Sequence, residues 1–93
     1  MFKAITLYHY KPGMTKDDMK HLLEVWSKLG EAPGVIEHFE FVDGTGGFTI
    51  GEYEDPFVFY RYLLPFEEFM TFETKWIFTV DEAAKAAFEF VGV

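Results

Sequence analysis

The stretch Phe66 to Val80, FEEFMTFETKWIFTV, constrains the chain most, because no other segment sustains a two-residue alternation for so long. Met70, Phe72, Thr74, Trp76, Phe78 and Val80 fall on one side of an extended chain, and Phe69, Thr71, Glu73, Lys75 and Ile77 on the other. The first side reads as a core face. The second mixes charge with apolar bulk, which predicts a face covered only in part, by a partner or a ligand rather than by helices. A long strand of this kind needs neighbours, and the rest of the chain supplies them.

Phe2 to Tyr10 alternates as a first strand, with Phe2, Ala4, Thr6 and Tyr8 on one face, and Lys11-Pro12-Gly13 breaks it. Thr15 followed three residues later by Asp18 is a capping-box pattern. Met19, Leu22, Leu23, Trp26 and Leu29 then recur at helical spacing until Gly30 supplies a stop. Val35 to Val42 and Phe48 to Glu54 bracket the turn Asp43-Gly44-Thr45-Gly46-Gly47 and predict a hairpin. These glycines do not read as a phosphate loop, since a strand and not a helix follows them. Pairing Val42 with Phe48 sets His38 opposite Glu52, on a face shared with Ile36, Glu40 and Ile50. Phe39, Phe41, Thr49, Gly51 and Tyr53 then take the other face, and a one-residue slip would exchange the two. Asp55-Pro56 is an N-cap followed by proline at the first helical position, so Phe57 to Leu64 is expected to be a short helix ended by Pro65. Asp81 is expected to cap a last helix with a thin apolar stripe of Ala83, Ala84, Ala87 and Phe88.

The order βαββαβ plus a terminal helix predicts the α+β ferredoxin-like sandwich, a four-stranded antiparallel sheet with both main helices on one face, as a single domain over residues 1–93. One sheet face stays bare. A chain of 93 residues buries only about 60 to 65 per cent of its unfolded surface, yet 20% of this one is aromatic, twelve residues of it Phe. The expectation is a homodimer through the open sheet face, making a homodimeric α+β barrel.

The formal net charge of −8, from acids spread over the whole chain, argues against nucleic acid, which requires a basic face, and disfavours anionic lipid. With no cysteine there is no disulfide, thiolate nucleophile or thiolate zinc site, which suits a reducing compartment. Residues 1 to 10 do not read as a signal peptide, and no run approaches the roughly 18 apolar residues of a membrane span. The expectation is a cytoplasmic protein without membrane partners.

Several stretches resemble known proteins. The opening FKAITLYHYKPGMT resembles the first strand and turn of stress-responsive dimeric α+β-barrel proteins. The combination of DGTGGFTIGEYEDP, an aromatic helix, FET and VDEAAKA is similar to a family of short bacterial proteins catalogued as a domain of unknown function within that superfamily. The resemblance implies a fold and a homodimer, not an activity. The wider superfamily includes cofactor-free monooxygenases, isomerases and polyketide cyclases. Some cyclase-like relatives place a histidine in the first strand, where this chain has Ala4, so that chemistry does not carry over.

No catalytic motif stands in the sequence. The one serine, Ser27, lies inside the first helix, which removes Ser-based acyl transfer. His38, Glu40, Glu52 and His9 could meet on one sheet face, and the expected outcome there is a His and Glu ion pair rather than a metal site. Small residues on the helix-side face (Ala4, Thr6, Thr49 and Gly51) lie among large ones with polar tips (Tyr8, Tyr53, Trp26 and Trp76). Such a set would line an apolar pocket or interdigitate as ordinary core. The expected binding residues are therefore Tyr8, Trp26, His38, Tyr53, Glu73 and Trp76. They would serve a homodimer that binds a small apolar or aromatic molecule without a cofactor, or that acts as an assembly module. The alternative is a cofactor-independent isomerase, cyclase or monooxygenase with Tyr8, His38 or Glu73 as acid or base.

Overall fold

The computed structural model describes residues 2–92 as four strands, three helices and a 3-10 turn. The strands are β1 (Phe2–Tyr10), β2 (Val35–Glu40), β3 (Gly46–Tyr53) and β4 (Met70–Ile77), and the helices are α1 (Lys16–Leu29), α2 (Pro56–Leu63) and α3 (Val80–Val91). The sheet order is β2-β3-β1-β4 with every neighbouring pair antiparallel, the ferredoxin-like topology the element order predicts.

Local chemistry sets the helix boundaries. The Thr15 hydroxyl accepts from the Asp18 backbone N–H while the Asp18 carboxylate accepts from the Thr15 N–H, so α1 starts with both halves of a capping box. It stops at Gly30, whose φ of 67° favours glycine. Asp55 caps α2 through the Phe57 N–H, and Pro56 sits in its first turn. α3 differs from the expectation. Its cap is Thr79, not Asp81, because the Thr79 hydroxyl and the Glu82 carboxylate form a second capping box.

That cap also shortens the long strand. The expected extended run from Phe66 to Val80 holds only over Met70–Ile77, since Val80 is captured by α3 and Phe66 belongs to the 3-10 turn Leu64–Phe66. Pro65 lies in that turn, and the Glu67 and Phe69 N–H groups donate back to the Leu64 and Phe66 carbonyls.

The hairpin register is the larger correction. His38 pairs with Thr49, Phe39 with Phe48 and Glu40 with Gly47, three residues away from the expected pairing of His38 with Glu52. An odd shift turns the side chains of Glu37 to Glu40 over, while an irregularity between Val35 and Glu37 keeps Val35 on the helix side. His38 and Glu40 therefore lie on the helix side with Thr6 and Tyr8, while Phe39 and Phe41 join Phe48 on the bare side. The cause is a tighter turn. Asp43 accepts from the Thr45 N–H and hydroxyl, and the Phe41 N–H donates to the Gly46 carbonyl, so Gly46 and Gly47 are drawn into β3 instead of the loop. Only glycine fits there. A Cβ at Gly46 would collide with the Tyr8 carbonyl, and one at Gly47 with the Tyr8 hydroxyl. The face expected for β3 stands, with Thr49, Gly51 and Tyr53 beneath the helices.

Two clusters of buried residues lie between sheet and helices. One joins Tyr8, Leu22, Phe66, Phe69 and Met70; the other joins Ala4, Ala32, Tyr53 and Phe59. Thr6 and Thr74 satisfy each other across β1 and β4 with a 2.9 Å hydroxyl pair. The space between the clusters is a cavity. No helix among the described residues is long and apolar enough to cross a membrane.

Candidate functional site

The cavity has a volume of about 360 Å³ and lies between the helix side of the sheet and helices α1 and α2. Its floor is Thr6, Tyr8 and Thr49 from the central strands, and Phe72 and Met70 from β4. Leu22 and Trp26 of α1 and Phe59 and Tyr62 of α2 form the walls. Tyr8 can lie across β3 only because Gly47 has no side chain, and that places its hydroxyl beside β2.

At that end stands a hydrogen-bonded chain. His38 Nδ1 lies 2.9 Å from Glu31 Oε2, and His38 Nε2 lies 2.7 Å from the Tyr8 hydroxyl. With Nδ1–H donating to the carboxylate, Nε2 is left to accept from Tyr8, which defines one tautomer of a neutral ring. The Tyr10 hydroxyl donates to Glu40 Oε1 at 2.6 Å, and the Tyr8 hydroxyl lies 3.4 Å from the same oxygen. Trp26 meets the His38 ring edge to face at 5.6 Å, and Tyr8 meets it at 5.5 Å. The imidazole is thus fixed in place by two rings and two hydrogen bonds. The His38 side chain is 27% exposed and that of Glu31 40%, so this chain forms the mouth of the cavity, while Tyr8, 7% exposed, lies within.

Burial, then the Glu40 charge, pushes the Tyr8 phenol well above its usual range; burial and the hydrogen bond to Glu40 do the same to Tyr10. Tyr62, whose buried hydroxyl has no hydrogen-bond partner among the described residues, is pushed up to about 12, chiefly by burial. All three phenols are therefore neutral donors at ordinary pH.

Of the six residues expected to bind, the structure brings three together: Tyr8, Trp26 and His38. Tyr53 packs in the neighbouring cluster, its ring 4.3 Å from Phe59. Trp76 is on the helix side at the end of the sheet, 61% exposed, against Phe2. Glu73 lies on the opposite face, across from Leu7, and pairs with Lys75 at 3.4 Å. Glu52 and His9 are also on that face, so they cannot join His38 and Glu40, and the partner of His38 is Glu31. Glu31 follows the helix stop directly and belongs to no motif, so nothing in the sequence marked it. Tyr10, Tyr62 and Phe66 went unmarked for a related reason: each is one aromatic among many.

Fold and site together define a small ferredoxin-like α+β domain with an aromatic cavity between sheet and helices. Residues 5–91 match the family described as Domain of unknown function (DUF3303), and the chain belongs to that family. No curated protein and no solved structure matches the chain.

Proposed function

We propose that this domain binds a small, largely apolar molecule in the cavity between sheet and helices, with one polar group of the ligand meeting the Tyr8–His38 pair at the mouth. The observation that carries this reading is the cavity itself. Its lining is mostly aliphatic and aromatic, with a few polar atoms gathered at one end, the usual composition of a small-molecule site. A neutral apolar fluorophore, N-phenylnaphthylamine, tests it. Saturable binding of one molecule per chain, with quenching of Trp26 in a Trp76→Phe background, is expected. Leu22→Trp, which fills the space, is expected to abolish that binding. Binding that does not saturate, or that survives Leu22→Trp, would remove the reading.

The chain Glu31–His38–Tyr8 favours a second reading, cofactor-independent acid–base chemistry on the bound molecule. A carboxylate holding one imidazole nitrogen leaves the other to take or return a proton, and the neutral phenol beside it can donate to a developing oxyanion. Deuterium uptake from heavy water at the acidic C–H of an enolisable phenyl ketone, lost in His38→Asn, would support it. Uptake no faster in the presence of the protein than in buffer would count against it.

The reading includes a second copy of the chain. Ile5, Leu7, Phe39, Phe41, Phe48 and Ile50 share the bare sheet face, and Phe39 is half exposed. A closed two-fold pairing of these faces would cover them.

A further inference from the structure

The charge at the mouth of the cavity has one sign. Glu31 and Glu40 flank the Tyr8–His38 pair, and among the described residues that line the cavity there is neither lysine nor arginine. Only one oxygen of Glu40 is engaged: Oε1 takes the Tyr10 hydroxyl, whereas Oε2 has no hydrogen bond among the described residues. Trp26, against the His38 ring, and Tyr10, with its hydroxyl on Glu40, add aromatic rings to this end of the lining, and deeper in, Leu22, Phe66 and Met70 are wholly apolar. Three kinds of ligand can be compared on this ground. An anionic head group would meet two carboxylates with no compensating cation. A neutral one would leave the charge unused. An ammonium can donate a charge-assisted hydrogen bond to Glu40 Oε2 and lie against aromatic faces, which attract cations through their quadrupoles.

We propose that the cavity selects an organic cation, an amine carried on an aromatic or branched apolar body, with the ammonium at Glu40 and the body between Leu22, Phe66 and Met70. This rests on the reading of the cavity as a binding site and narrows its ligand class. The geometry asks nothing of the protein beyond what is already in place: the head group stays at the mouth, where Glu31 and Glu40 remain partly hydrated, and only the apolar body is desolvated.

Calorimetric titration with three molecules sharing a phenyl body, 2-phenylethylamine, 2-phenylethanol and phenylacetate, separates the possibilities. The amine is expected to bind at least tenfold more tightly than the alcohol, and the carboxylate not measurably. Glu40→Gln is expected to bring the amine to within about threefold of the alcohol. Glu89→Gln, on α3, removes the same charge away from the cavity and is expected to leave the preference intact. If the alcohol binds as tightly as the amine, the cation selectivity is wrong and the cavity reading stands. If the preference survives Glu40→Gln, or falls equally with Glu89→Gln, the general negative field of the protein is responsible and the assignment to Glu40 fails. If none of the three binds and the fluorophore also fails, both readings fall.

Discussion

Gly47 is the residue on which the site turns, since the Tyr8 hydroxyl reaches His38 across the place where a side chain would be. Gly47→Ala must move that ring or the strand beneath it. Overpacking of this kind costs about 1 to 3 kcal/mol. The expected outcome is a lowered urea midpoint together with loss of fluorophore binding, whereas Gly13→Ala, with open space around it, is expected to leave binding unchanged. The tyrosines make a second prediction at the same scale. Burial raises the phenols of Tyr8, Tyr10, Tyr53 and Tyr62 in the folded state, the last to about 12. A group whose folded value is raised contributes stability that is full below its unfolded value, about 10 for Tyr, and is lost as pH climbs through the folded one. Stability should thus fall between about pH 10 and 12, in step with phenolate absorbance, and Tyr62→Phe should reduce the fall. A urea midpoint that is flat across that window would contradict the burial assigned to these rings.

The two capping boxes at the element scale look alike in sequence and differ in what they hold. α1 packs Leu22 into the core, so Thr15→Ala should cost the whole domain about 1 kcal/mol. Among the described residues α3 buries none of its own, and a lone helix of its length is marginal in water. Thr79→Ala is therefore expected to lower helical circular dichroism while hardly moving the urea midpoint of the rest. Equal midpoint losses in the two variants would show that α3 is coupled to the core. Capping chemistry of this kind was legible because it is local: Thr15, Gly30 and Asp55-Pro56 mark boundaries through contacts within a few residues. The order of strands was legible too, following from the element sequence and from handedness. The β2 register was not. It depends on whether Gly46 and Gly47 belong to the turn or to the strand, and that is decided by the Tyr8 side chain of a strand some forty residues earlier. With β2 turned over, His38 left its expected partner Glu52 for Glu31, and the half of the site containing Tyr8 and Trp26 gained the polar chain that the composition could not locate.

For the whole molecule, the proposed pairing through the bare face predicts a dimer at micromolar concentration in sedimentation. Phe48→Asp, at the centre of that face beside Phe39 and Phe41, should yield a folded monomer with unchanged secondary structure. A wild-type monomer throughout that range would remove the pairing. The sheet order has a further consequence, for solubility. With β2 and β4 outermost, each presents one row of unpaired backbone groups, a template on which other chains could add strands without limit. Both rims carry charge: Glu37 and Glu40 along one, Glu73 and Lys75 along the other. Covering either rim with an added strand would take these charges out of water, so association that closes face to face is permitted while open-ended stacking is opposed. Replacing Glu73 and Lys75 together by Val should remove that opposition along β4, and growth of thioflavin-binding fibres by the double variant, under conditions where the parent stays clear, is the result expected.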